Sequence, residues 1–235
     1  MGRASNSLEF IRLYNEVAEL LSKLTDADPG TRFHILVDRA ANNNSVVRRY
    51  RSALKRFGNL RNVIVHDECF PKRIVAEVHR EVLDEFRRIV ELVKAPPRVI
   101  PMFRREIRVF RLSDELDECL VYMRDHDYSQ IVVTDGEHYR LVSHEGIARW
   151  LGEAVSAGAD DIRGAILSEV LDCELPESCL YLPREATLFD ALEMLEATFK
   201  QQRPRVHAIL ITDTGACTEP PIGIITPWDL IGVKL

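Results

Sequence analysis

No stretch of these 235 residues comes near the roughly 18 consecutive apolar positions that a membrane-spanning helix requires. The opening residues, Met1-Gly2-Arg3-Ala4-Ser5-Asn6, lead into an amphipathic stretch without the apolar centre of a signal peptide. Cysteine is sparse and scattered: Cys69, Cys119, Cys173, Cys179 and Cys217 are odd in number, and no two form a C-x-x-C pair. That argues against a disulfide framework or a zinc site. It points to a reducing compartment, in which each thiol is a small buried apolar group. The expected location is therefore the cytoplasm, with no membrane involvement. There is no overall basic field either. The net charge of −6 leaves only local charge to suggest a nucleic acid. His34, His79, His126, His138, His144 and His207 share no spacing that would build a metal site. Asp160-Asp161 reads as a helix start rather than a cation ligand.

What is present suits two domains. An apolar content of 46% with 29% charged residues over this length supplies two cores. Up to about residue 93 the apolar spacing is helical. Residues 8–24 align Ile11, Tyr14, Val17, Ala18, Leu21 and Leu24 on one stripe, and Pro29-Gly30 ends that helix. A shorter helix turns Phe33, Leu36, Val37 and Ala40 inward. Ser45 is the expected N-cap of a third, which carries Val46, Val47, Tyr50, Ala53, Leu54 and Phe57. After Pro71, residues 72–93 predict a long helix, with Val75, Val78, Val82, Phe86, Ile89 and Val93 at spacings of three and four. Short connections make an antiparallel bundle over 1–94 the expected form. Ala95-Pro96-Pro97 and Pro101 then predict a stiff linker over 95–106.

Beyond the linker the texture changes. Strands are expected at 107–112, 130–134 and 139–142, with a helix at 115–125 and another from His144. The same order returns as strands at 179–182, 207–212 and 222–225, with helices at 188–199 and from Pro227. A helical bridge near 162–171 joins the two copies. Local signals coincide between them: Ser113-Asp114-Glu115-Leu116 with Ala186-Thr187-Leu188, Ile131-Val132-Val133-Thr134-Asp135-Gly136 with Ile209-Leu210-Ile211-Thr212-Asp213-Thr214-Gly215, and Arg140-Leu141-Val142-Ser143 with Gly223-Ile224-Ile225-Thr226. This βαββα duplication resembles a tandem pair of CBS domains over about residues 100–235. The segment Gly223-Ile224-Ile225-Thr226-Pro227-Trp228-Asp229-Leu230 is the most specific part of the likeness.

Thr226 stands where strand gives way to helix, so its hydroxyl and the free N–H groups beside it can hold a phosphate. Asp229, one turn on, can accept hydrogen bonds from two ribose hydroxyls. In CBS pairs that bind adenosine nucleotides the matching residues do this work. The resemblance therefore implies a regulatory adenosine nucleotide held by Thr226 and Asp229, with Leu182 and Ala208 of the same copy as further contacts. The plainer alternative is an ordinary capped helix, which any Thr-x-x-Asp provides for about 1 kcal/mol. The first copy has Ser143 but carries Gly146 at the Asp position and Arg140 at the Gly position, so its ribose clamp is missing, and one competent site, on the second copy, or none is expected. Arg203 and Arg205 lie just before a strand of the second copy, where they could meet phosphates; the plainer reading is two solvated surface arginines.

In the helical half, Leu60-Arg61-Asn62-Val63-Ile64-Val65-His66-Asp67 places Asn62 and His66 four apart, on one outward face of the expected helix, with Arg61 within reach. The string Arg-Asn-x-x-x-His resembles the signature of HEPN domains, helical bundles that often dimerise and act as metal-independent endoribonucleases. That likeness implies His66 as general acid–base, Arg61 steadying the charge on the phosphate, and Asn62 as orienting group, in a site shared by two subunits. Arg39, Arg48, Arg49, Arg51, Lys55, Arg56 and Arg61 lie between residues 39 and 61 with no acid among them, a patch suited to RNA. Two other readings stay open: a solvated basic face paired with Glu77, Glu81, Asp84 and Glu85, and a structural His66 with Arg61 bridged to Asp67 or Glu68. The expected fold class is thus α+β, an antiparallel helical bundle followed by two CBS repeats at 107–155 and 177–235. The expected function is a homodimeric protein in which the pair senses an adenosine-type nucleotide and controls a HEPN-like nuclease that requires no cofactor. The alternative is a non-enzymatic sensor or scaffold whose helical domain dimerises or docks a partner.

Overall fold

The computed structural model describes residues 5–66, 73–74, 76–159, 162–175, 178–200, 206–231 and 233, with the backbone alone for His66, Arg73 and Phe199. The chain divides into two compact units, Met1–Pro97 and Arg98–Leu235. Among the described residues no helix is long and apolar enough to cross a membrane. Asp67, Glu68, Asp160, Asp161, Arg203 and Arg205 lie outside the described residues.

The first unit is built from α1 (Asn6–Leu24), α2 (Phe33–Asn43), α3 (Ser45–Arg49), α4 (Arg51–Ile64), the two-residue strands β1 (Val65–His66) and β2 (Arg73–Ile74), and α5 (Arg80–Lys94). Helix α1 buries Phe10, Leu13, Val17 and Leu21, and α5 buries Leu83, Phe86, Ile89, Val90 and Val93, each at three-and-four spacing. Phe10, Phe57 and Phe86 meet at the centre, with ring centroids 4.6 to 6.1 Å apart. Tertiary structure revised three local expectations. The expected third helix breaks at Tyr50 into α3 and α4, and its cap is Asn44 rather than Ser45, since the Asn44 side chain accepts from the Val47 N–H at 3.0 Å. Helix α4 stops at Ile64, and Val65 is extended (φ −108°, ψ 100°). The β-branched run Val63-Ile64-Val65 favours that conformation over helix. The expected 72–93 helix begins only at Arg80, because Ile74 pairs antiparallel with Val65 and Arg73 with His66. Apolar spacing alone could not separate that short strand from a first helical turn.

The second unit continues with α6 (Val99–Met102), β3 (Val109–Arg111), α7 (Leu116–His126), β4 (Gln130–Thr134), β5 (Tyr139–Ser143), α8 (His144–Ser156), α9 (Leu167–Leu171), β6 (Cys179–Pro183), α10 (Leu188–Lys200), β7 (Ala208–Thr212), β8 (Gly223–Ile225) and α11 (Pro227–Ile231). Two three-stranded sheets result, β3-β4-β5 and β6-β7-β8. In each, the first pair is parallel across a helix and the second is an antiparallel hairpin. The duplication read from sequence is thus a duplication of topology. Strands β4 and β7 carry continuous apolar runs, Ile131-Val132-Val133 and Ala208-Ile209-Leu210-Ile211, because both of their faces are covered there. Val133 and Ile131 pack beneath α7, Ile209 and Ile211 beneath α10, while Val132, Leu141, Ala208 and Leu210 form a layer between the sheets. Each fully buried aliphatic chain in these layers is worth roughly 1.5–3 kcal/mol.

The expected 95–106 linker is only partly one. Val99 is fully buried and Phe103 nearly so, both in the core of the second copy, and the Val99 N–H donates to the Ala186 carbonyl at 2.9 Å. Three large apolar side chains in five residues (Val99, Ile100, Phe103) are the physical reason: they have more to gain in a core than in water. Phe103 also explains Gly223. A Cβ at that position would stand 2.5 Å from the Phe103 carbonyl oxygen, a backbone atom that cannot swing away. Gly223→Ala is expected to cost about 1–3 kcal/mol, read as a lowered urea midpoint. An unchanged midpoint would rule out the close approach.

Candidate functional site

Residues of both copies line a cleft of about 240 Å³ in the second unit. The approach to β3 contributes Arg105 to Arg108, α7 and the turn after it give Tyr122 and Asp127 to Ser129, and β4 gives Gln130 to Val132. The second copy supplies Ile224, Thr226 and Trp228. The volume is slightly below the roughly 300–1,000 Å³ usual for small-molecule sites. Its floor is apolar (Ile107, Ile131, Val132, Ile224) and its rim is basic and aromatic. Arg108 stacks over Phe110 and Tyr122, its Cζ 4.5 and 4.8 Å from the ring centroids. Trp228 is 81% exposed beside Thr226, an unusual setting for so large an apolar surface.

At the second-copy end, Asp229 Oδ2 accepts from both the Thr226 N–H and the Thr226 hydroxyl, each at 2.8 Å. Its other oxygen, Oδ1, accepts from Arg105 Nη2 at 2.6 Å. Burial alone would raise the Asp229 carboxyl, but the Thr226 and Arg105 hydrogen bonds outweigh it and hold the group below its usual value. Thr187 and Asp190 repeat the same box at the start of α10, with N–H and hydroxyl bonds of 2.7 and 2.8 Å to Asp190. The Thr-x-x-Asp spacing is therefore a capping device in both places. What sets Thr226 and Asp229 apart is the cleft and the arginine facing them.

Thr226 and Asp229 are thus brought together as expected. Leu182 and Ala208 do not join them. Ala208 is fully buried between the sheets, and Leu182 packs in the second copy's core with Leu188 and Ile211, so neither lines this cleft. Strand β7 is buried at each of its residues. Sequence reasoning missed Arg105, Arg108, Tyr122, Tyr128 and Trp228. The run of arginines at 104, 105, 108 and 111 was the available signal, hidden because it spans an apparent linker and an edge strand.

In the first unit, Arg61 lies 5.6 Å over the Tyr14 ring, and its Nη1 donates to Asn62 Oδ1 at 3.4 Å. Burial raises the Tyr14 phenol, opposed by the nearby Arg61 charge. His66 does not share a helical face with Asn62, because α4 has already ended at Ile64; its backbone belongs to β1. The basic patch is partly neutralised. Arg51 and Lys55 both bind Asp38, at 2.6 and 2.7 Å, and hydrogen bonds from Lys55 and then Arg51 lower the Asp38 carboxyl. Arg56 reaches Glu85 at 3.8 Å, and Arg48 donates to the Ala41 and Asn42 carbonyls.

No protein-family model matches the chain, and no curated protein matches it. Among solved structures, the CBS domain of a CBS domain containing membrane protein from Sphaerobacter thermophilus is similar over 66% of this chain and 99% of its own, with 18% identity and a TM-score of 0.45. CBSX2 in complex with AMP is similar over 53% of this chain and 84% of its own, with 18% identity and a TM-score of 0.38.

Proposed function

We propose that the second unit is a tandem CBS pair that binds an adenosine-type nucleotide and regulates the helical unit. The observation that carries this reading is the cleft shared by the two copies. Arg105 and Thr226 line it beside exposed aromatic surface, and both are bonded to the capping carboxylate of Asp229 next to it, Arg105 at 2.6 Å. The chemistry divides accordingly. Arg105 takes the phosphate, Asp229 takes the ribose hydroxyls, and Trp228 or Tyr128 offers a face to the base. Because Arg105 and Asp229 are 50% and 18% exposed, their ion pair is worth at most about 1 kcal/mol, so a nucleotide can part them. A ligand regulates only by binding one arrangement better than another, and a homodimer is the natural frame for such a shift. The test is calorimetric titration of the full chain with AMP, ADP, ATP and cyclic nucleotides. Silence across that panel overturns the sensor reading.

For the helical unit, the endoribonuclease reading rests on Arg61, Asn62 and His66 as a sequence motif. The reading of a module that only dimerises or docks a partner draws on the end of α4 at Ile64, which separates Asn62 from His66. The two readings part in one assay. If the unit is a nuclease, wild type cleaves RNA without metal, and His66→Ala loses about 100-fold or more of that rate while remaining folded, as loss of a general acid–base does. If wild type cleaves no RNA with or without nucleotide, the docking reading stands.

A further inference from the structure

The first copy's missing carboxylate is supplied from elsewhere in the chain. Ser143 caps α8 by accepting from the Gly146 N–H at 3.1 Å, as the repeat predicts. The Ser143 N–H donates to Glu174 Oε1 at 2.5 Å, and Glu174 comes from the bridge between the copies. In the second copy the matching Thr226 N–H donates to Asp229, three residues on in the same helix. One backbone N–H at each helix start thus meets a carboxylate in both copies, from Asp229 in one and from a residue 31 positions away in the other.

Gly146 is what permits the exchange. A Cβ at that position would overlap the Glu174 carboxylate, so the residue standing where the second copy has Asp229 must be without a side chain for Glu174 to sit there. The second carboxylate oxygen, Oε2, is out of contact with solvent and has no hydrogen-bond partner among the described residues. The group is therefore tucked in rather than extended into the adjoining cleft of about 470 Å³, which Arg140, Leu141, Ser178, Cys179 and Tyr181 also line. That cleft is the counterpart of the nucleotide cleft. Leu141 matches Ile224 in the repeat, and Cys179 matches Ile107 by the register of β6 on β7 and of β3 on β4. The polarity is reversed between the two. The segment leading into the first strand brings the cation Arg105 to one helix start, whereas the segment leading into the matching strand brings the anion Glu174 to the other.

We infer that Glu174 closes the first copy's cleft to phosphate-bearing ligands, by seating its own carboxylate on the Ser143 N–H in the space that Gly146 leaves. An anion at a helix start needs free N–H groups and no competing negative charge. Glu174 takes the first and imposes the second, whereas the Asp229 carboxylate that makes the same bond in the other copy has its charge offset by Arg105 at 2.6 Å. The chain then has one cleft open to a phosphate-bearing ligand rather than two, a consequence that rests on the nucleotide reading of the other cleft.

The experiment counts sites. AMP and, separately, inorganic pyrophosphate are titrated calorimetrically into the full-length wild type, Glu174→Ala, Asp229→Ala and the double variant, each checked for a cooperative melt. Glu174→Ala should add one pyrophosphate site per chain, because with Gly146 in place the first-copy helix start can take a phosphate but offers AMP no ribose carboxylate. The same added pyrophosphate site should appear in the Asp229→Ala background. No added site for either probe overturns the inference, whether wild type binds one AMP or none. A site gained in Glu174→Ala when wild type binds no AMP sinks the nucleotide reading of the second-copy cleft and leaves the inference standing. If Glu174→Ala does not fold, Glu174→Gln replaces it, since the amide keeps the shape but removes the charge and leaves only a neutral bond on the Ser143 N–H for a phosphate to displace, and the same counts decide.

Discussion

Asp229→Ala should weaken AMP binding about 100-fold while leaving the second unit folded. A carboxylate that receives two hydroxyl hydrogen bonds contributes charge-assisted bonds of about 1.5–3 kcal/mol each. Against this stands the Arg105 pair that the ligand must first break, a half-exposed contact of about 1 kcal/mol or less. The difference is about 3 kcal/mol, or roughly two decades in Kd. The substitution also removes the cap of α11, at about 0.5–2 kcal/mol, so binding must be compared at a temperature where both proteins remain folded. Asp229→Asn separates the two roles. An amide oxygen can still accept from the Thr226 N–H, preserving the cap, but the charge is gone, so its affinity should fall between wild type and Asp229→Ala. Equal affinity for wild type and Asp229→Ala would mean that the carboxylate only caps the helix.

Phe86→Ala should lower the stability of the helical unit by about 3–5 kcal/mol, the usual cost of emptying a large aromatic site in a core. Phe86 is fully buried and lies within 5 Å, centroid to centroid, of both Phe10 and Phe57, rings from two other helices. Rigid rings on two sides cannot fold into the space, so the cavity term should be close to its full value. For a unit of about 100 residues each kcal/mol corresponds to about 4–8 °C, which predicts a fall of at least roughly 12 °C in that unit's thermal midpoint. Since whole domains are stable by only about 5–15 kcal/mol, a large share of the fold's margin rests on this one ring. A shift under about 5 °C would show that the aromatic centre is loosely packed.

The elements of the second unit were legible because each signal was local. Strand β4, β5, β6 and α10 fall within a residue or two of expectation, as do the helix starts at His144 and Pro227. A continuous apolar strand ending at a Ser or Thr leaves the chain little choice but to begin a capped helix. The errors gathered where distant residues decide. Val65 pairs with Ile74 and so draws His66 off the helix, a choice made across a loop that local periodicity does not see. Val99 and Phe103 enter a core whose other buried members begin only at Leu182, so a proline-rich stretch with the look of a linker becomes structure. Ala208 lies fully buried between the sheets, and Leu182, on β6, lines a different cleft from Thr226, which their apolar composition did not reveal.

By itself the sequence determined the duplication, the helical first half, and the inequality of the two copies at Gly146 and Asp229. These come from short-range rules: strand and helix periods, a cap residue, a missing side chain. Only the tertiary structure decided what that inequality means. It brought Arg105 to Asp229 across 124 positions and Glu174 to Ser143 across 31. The charge that each helix start meets depends on which distant segment folds back upon it. A backbone N–H at a helix end must be satisfied, and the chain does not say locally which carboxylate will do it.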